Sequence, residues 1–265
     1  MFPLRDHNPS EKTPFVTWAL IAINVVIFLS YYGLFSQPGQ LQAFFLTWGI
    51  VPARLSFGSG YETLVTSMFL HGGWLHLGGN MLFLWIFGDN LEEEFGHIGY
   101  LIFYLACGIG AGLSHVFIDP ASRIPTVGAS GAIAGVMGGY LLLFPKARVD
   151  ILFIFIIIIR IIPVPAWVML GLWFVIQFVG GVESDSSGGG VAYWAHAGGF
   201  VIGFVLTIPL WLRRGATAYW QKTDGHPPHP DAQYRLARSS IPSSGRRQMP
   251  DGTRRRPGPW SGRGR

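Results

Sequence analysis

Residues Val127–Gly139 read VGASGAIAGVMGG, thirteen positions in which Ser130 is the one polar side chain. Gly131, Gly135 and Gly139 recur every fourth residue, so on a helix they form one bare ridge against which another backbone packs closely. Such a helix holds Ser130 at its N-terminal end, where unpaired N–H groups and the positive end of the helix dipole favour a developing negative charge. Outward from this stretch, the composition says what kind of solvent the helix lives in. Half of the 265 residues are hydrophobic and only 12% are charged, about half the charge of an ordinary soluble domain. The chain reads as a membrane protein.

Apolar runs long enough to cross a bilayer fall at Phe15–Leu34, His71–Leu91, Tyr100–Phe117, Gly128–Phe144, Ala166–Val179 with its flanks, and Tyr193–Leu212. The first run is too long for the apolar core of a cleaved signal and is read as a retained helix. Residues 35–70 are too broken to span and are expected as a long membrane-associated loop. Ile151–Ile162 is apolar but short, flanked by Asp150 and Arg160 and stopped by Pro163 and Pro165; it is expected at the inner interface rather than as a span. The resulting expectation is an all-α polytopic bundle of six transmembrane helices. Residues 1–13 form a polar cytoplasmic segment, 14–212 the helical domain, and 213–265 a basic, Pro- and Gly-rich disordered tail.

Lys12, Lys146, Arg148, Arg160, Arg213 and Arg214 fall on one side of this arrangement, and Arg54 and Arg123 on the other. The positive-inside bias puts both termini in the cytoplasm, with the cell membrane as the expected location. Twelve of the nineteen basic residues lie from Arg213 onward, making the tail a candidate for contact with anionic lipid headgroups; no nucleic-acid partner is expected. Cys107 is the only cysteine, which excludes an intramolecular disulfide and any CxxC motif.

In this topology the second, fourth and sixth spans run from outside to inside. His76 and Asn80 then lie in the outer half of the second, Ser130 at the outer start of the fourth and His196 at the outer start of the sixth. All four fall roughly 5–10 Å deep at 1.5 Å per residue. Polar groups at that depth are costly and tend to be functional. Ala195, Gly199 and Gly203 make a second small-residue ridge, and facing it to the first brings Ser130 and His196 together. A neutral imidazole beside a serine hydroxyl takes the proton as the oxygen attacks a carbonyl, which is acyl-transfer chemistry. Asn80 and His76, four apart on one face, with the Ser130 N–H, are candidates for an oxyanion pocket. No Asp or Glu lies in the outer halves of these three spans, so a Ser–His dyad is expected, with no cofactor and no metal. HExxH is absent, as are paired intramembrane carboxylates, and GASGA departs from GxSxG.

The motifs GASG around Ser130, HGGWLHLGGN at His71–Asn80 and AHAGGFVIG at Ala195–Gly203 together resemble the rhomboid intramembrane serine proteases. The resemblance covers roughly residues 15–212, and NLEEEFG with Glu92 and Gly96 is similar to the family's hairpin after the second span. It implies Ser130 as nucleophile, His196 as general base, and His76 and Asn80 as oxyanion donors. His71 takes the place of a further histidine of the family, and Gly128, Gly131 and Gly199 are supporting positions. Transmembrane proteins are the implied substrates, cut near the outer end of a span; a rhomboid-like protein that binds membrane clients without cutting them is the alternative. Ala134 stands where some members carry a tyrosine that stacks on the histidine, leaving Tyr193 or Trp194 as candidates for that role.

Overall fold

The computed structural model describes residues 2–155, 158–183, 192–228 and 232. The disordered-tail expectation falls mostly on residues outside this set. Helix α7, Ser130–Leu143, is the innermost element, with every side chain from Gly131 to Tyr140 buried. Around it stand α1 (Phe15–Tyr31), α5 (Trp74–Phe95), α6 (His97–Ile118), α8 (Ala166–Glu183) and α9 (Tyr193–Arg213). Between α1 and α5 the chain forms α2 (Pro38–Trp48), α3 (Pro52–Ser56) and α4 (Thr63–Thr66). Arg54 knits this segment by donating to the carbonyls of Leu46, Thr47 and Gly49.

Among the described residues, four helical segments are long and apolar enough to cross a membrane: Phe15–Ser36, His97–Ile118, Ala166–Glu183 and Tyr193–Arg213. Helix α5 is as long as α6 but ends in Asp89, Glu92, Glu93 and Glu94, while α7 is shorter, at 14 residues. Large apolar side chains such as Val26, Ile102, Phe117, Val182 and Leu212 are exposed on the outside of the bundle, the surface an integral membrane protein presents to lipid.

The fold is not all-α. Strand β1 (Phe2–Asp6) pairs antiparallel with β2 (Arg148–Phe155), and β2 with β3 (Ile158–Pro165), in the order β1-β2-β3. The register places Arg148 opposite Pro165 and Phe2 opposite Leu152. The isoleucine-rich run is β-branched, which favours a pleated strand over a helix, and Pro163 is tolerated because β3 is an edge strand. Asp150 fixes β1: its carboxylate accepts from Arg5 Nε at 2.9 Å and pairs with His7 Nε2 at 2.8 Å. Burial by itself raises the Asp150 carboxyl, but the hydrogen bonds and charges of His7 and Arg5 outweigh it and hold the group below its ordinary value. The ordered chain also passes the expected boundary at 212, continuing into α10 (Thr217–Thr223). Trp220 Nε1 of α10 donates to Leu142 O at 3.0 Å, and Lys146 N donates to Gly225 O at 2.9 Å. Residues 5–12, 93–94, 142–150 and 214–225 therefore gather at one end of the bundle. At the other end Ile50 bridges Thr126, and Ala53 N donates to Ser122 O.

Two features hold the frame. Glu92, 1% exposed, closes the N-terminal end of α1: its Oε1 accepts from Val16 N at 2.8 Å and bonds His97 Nδ1, and its Oε2 accepts from Thr17 N and Oγ1 at 2.7 Å. A carboxylate there satisfies orphan N–H groups and complements the helix dipole. The second is the approach of α7 to α9. A Cβ on Gly203 would overlap the Gly135 backbone, one on Gly199 the Gly131 carbonyl, and one on Gly138 the Phe200 carbonyl. No side chain fits between these backbones.

Two stability predictions follow, both read by thermal unfolding in detergent. Gly203→Ala should cost about 1–3 kcal/mol or more through overpacking, whereas Gly171→Ala on α8, where a Cβ meets nothing within 4 Å, should be neutral or stabilising by up to about 1 kcal/mol. Glu92→Gln, which places an amide N–H₂ among donors, should cost about 1–3 kcal/mol.

Candidate active site

The close approach of α7 to α9 decides where their outer ends meet. Ser130 opens α7 and His196 lies in the first turn of α9. Ser130 Oγ is 2.7 Å from His196 Nε2. The other ring nitrogen, Nδ1, is 2.7 Å from Gln177 Oε1 on α8. An amide oxygen only accepts, so Nδ1 carries the proton and the Nε2 lone pair faces the serine hydroxyl. The ring face of His196 lies against Trp173, one turn before Gln177, with centroids 5.8 Å apart and planes tilted by 33°.

His76 and Asn80 on α5 share with Ser130, His196 and Trp173 the lining of a cavity of about 220 Å³. Ser130, His76 and His196 also border a larger cavity of about 610 Å³ that extends under Thr126–Gly128 to α6. His115 lines it, its Nε2 3.1 Å from Thr126 Oγ1. Asn80 Nδ2 donates to His76 O at 2.9 Å, which leaves its second N–H for another acceptor. His76 Nδ1 accepts from Gly72 N at 3.2 Å.

His71 does not reach the cavities. It is fully buried behind His76, ring centroids 5.1 Å apart, and its backbone N–H and carbonyl both bond Tyr31 Oη. Gly128 has φ +136°, and a Cβ there would lie 2.8 Å from His76 Nε2 and 3.4 Å from Ser130 Oγ. Its N–H donates to Ser67 O at 2.9 Å, pinning the loop in front of α7. Gly131 faces Ala111 of α6 and Gly199 faces Gly131, so both glycines serve the approach of the helices that carry Ser130 and His196. No side chain caps α7, and first-turn N–H groups of an uncapped helix form a ready anion site. Among the described residues no three His, Cys, Asp or Glu side chains gather as a metal site needs.

The sequence reading brought Ser130, His196, His76 and Asn80 to one place, but missed Gln177 and Trp173. Tyr193 and Trp194, the candidates for bracing His196, instead pack on Gly180 and Gly181 of α8. The available signal was that Gln177 is the one amide in the otherwise apolar stretch Ala166–Val182, and an intramembrane polar side chain is a candidate for function by default.

In this integral membrane protein a serine hydroxyl, an imidazole and an amide are hydrogen-bonded in series beside a cavity. The family's sequence profile makes the assignment: the Rhomboid domain matches residues 59–213, and the chain belongs to the rhomboid family. It is 31% identical over 201 residues to the mitochondrial rhomboid protein 1 of Saccharomyces cerevisiae, covering 71% of this chain and 51% of that protein. It is 30% identical over 207 residues to the rhomboid protease GluP of Bacillus subtilis, covering 75% and 35%, and 34% identical over 130 residues to the chloroplastic rhomboid-like protein 11 of Arabidopsis thaliana, covering 49% and 42%. The chain thus spans about half or less of the length of these relatives.

A fluorophosphonate probe, which phosphonylates an activated serine with loss of fluoride, should label wild type at Ser130; Ser130→Ala should remove labelling completely and His196→Ala should cut its rate by about 10²–10⁴, as read by gel fluorescence or intact-protein mass.

Proposed function

We propose that this chain is an intramembrane serine endopeptidase that hydrolyses peptide bonds in or near transmembrane segments of other proteins. The observation that carries the reading is the 2.7 Å bond between Ser130 Oγ and His196 Nε2 beside a cavity. In the first half-reaction His196 Nε2 takes the hydroxyl proton as Oγ adds to the substrate carbonyl. The charge on that oxygen meets the first-turn N–H groups of α7, the free Asn80 N–H and His76, the oxyanion pocket of this reading. His196 then hands its proton to the departing amide nitrogen, leaving an acyl ester on Ser130. A water molecule, deprotonated by the same Nε2, releases the acid and restores the serine. A helical substrate hides its carbonyls in hydrogen bonds, so the preferred sites are segments that unwind easily at the level of Ser130.

We place six crossings in the chain: α1, α5, α6, α7, α8 and α9. Pairing of β1 with β2 requires an even number of crossings between Asp6 and Arg148, and the Lys146–Gly225 bond requires an even number between those residues. Four and two meet both conditions. With the basic residues of that end facing inward, residues 2–12 and 213–228 are cytoplasmic and the cell membrane is the proposed location, with the tail beyond 228 positioned near anionic headgroups.

The test is cleavage of a single-span substrate by purified protein in liposomes. Wild type should cut, Ser130→Ala and His196→Ala should not, and Asn80→Ala should lose about 10²–10³ in kcat. Gly128→Ala should be inactive while remaining folded, because its Cβ intrudes between His76 and Ser130. Equal behaviour of wild type and Ser130→Ala over a panel of substrates would sink the protease reading in favour of a client-binding protein.

A further inference from the structure

We infer that Gln177 is a positioning residue that completes a Ser130–His196–Gln177 relay, holding His196 in the one tautomer able to accept the serine proton. This deepens the protease reading and rests on it. In sequence terms the site lacks a third member, since no carboxylate lies near His196 in the spans. Geometry supplies one from a helix outside the three that carry the motifs. Gln177 Oε1 sits 2.7 Å from His196 Nδ1 while Nε2 sits 2.7 Å from Ser130 Oγ. The amide is 7% exposed.

The choice of an amide has a physical reason. A neutral imidazole has two tautomers, and only the Nδ1–H form leaves Nε2 free to act as base. An acceptor on Nδ1 selects that form. A carboxylate would do the same, but an ionised one within the bilayer costs several kcal/mol; the amide oxygen makes the bond without bringing a charge. Helix α8 buries a single stripe, Ala166, Leu170, Gln177 and Gly181, and Trp173 beside that stripe covers the ring face. One helix therefore fixes the imidazole twice, by an edge bond and by a face contact, and these replace the tyrosine that Ala134 does not provide.

The experiment uses the full chain in nanodiscs, with wild type, Gln177→Leu and Gln177→Glu compared by three readouts. ¹⁵N-histidine NMR should show His196 as the Nδ1–H tautomer in wild type and a mixture in Gln177→Leu. Steady-state cleavage should show kcat down about 10–100-fold in Gln177→Leu, the range for partners that orient a functional histidine, with KM within twofold and thermal stability little changed. Gln177→Glu, which restores an acceptor, should recover most of kcat and move the acid limb of the pH–rate profile upward, because a carboxylate favours the imidazolium. A packing role predicts neither the recovery nor the moved limb. Wild-type kcat and profile in Gln177→Leu, or an Nε2–H tautomer in wild type, would overturn the inference. If wild type fails to cleave any substrate, the protease reading fails by itself; the NMR arm still decides whether Gln177 sets the tautomer.

Discussion

Backbone meeting backbone between α7 and α9 is the constraint on which the rest depends. In lipid there is no hydrophobic drive to bring two helices together, and association relies on close packing and on polar contacts. Glycines supply the closeness: Gly199 lies on the Gly131 carbonyl and Gly203 on Gly135. The ridges run in register up to the outer ends, so the separation of the helix axes there is fixed by backbone atoms rather than by flexible side chains. That rigidity lets a single hydrogen bond, Ser130 to His196, recur with the same geometry each time the protein folds.

Around this contact the polar groups are few, and Ser130, His196, Gln177 and Asn80 each have a partner. Ser130, His196 and Gln177 share two bonds in series. Asn80 bonds the turn before it, and Tyr31 holds both backbone groups of His71. The strongly charged residue in the frame, Glu92, sits at a helix end where three donors converge. Among the described residues, ionisable Asp, Glu, Lys and Arg side chains are kept toward the two ends of the bundle, and neutral polar ones carry the interior. A Ser–His–amide arrangement fits that economy better than a carboxylate triad would, because its resting state holds no net charge.

Much of this was readable in the chain itself. Glycine periodicity in Val127–Gly139 and Ala195–Gly203 pointed to the helix pair, and the depth of His76, Asn80, Ser130 and His196 pointed to the candidate site. Three things were hidden for identifiable reasons. The sheet was missed because Ile151–Ile162 was judged by hydropathy, which does not separate a strand from a helix in a short apolar run; its β-branched content was the better guide. Gln177 was missed because a third member was sought only among Asp and Glu, and an amide on a further span has the same reach. Helix α10 was masked by the polar composition around it, although Tyr219 and Trp220 are a local exception that packs on the end of α7.

The sheet also imposes an order on biosynthesis. Strand β1 is made first, yet its partner β2 begins 142 residues later, counting from Asp6 to Arg148. At about 5–20 residues per second, β1 waits on the order of ten seconds as an open edge while the helices between them are inserted. Proline at position 3 and the irregular register between Pro3 and Arg5 make that edge a poor template for stray strands. The bonds of Arg5 and His7 to Asp150 then act as a late clasp: a newly made chain that has threaded the membrane with the wrong parity leaves β1 and β2 in different compartments, and the clasp cannot close.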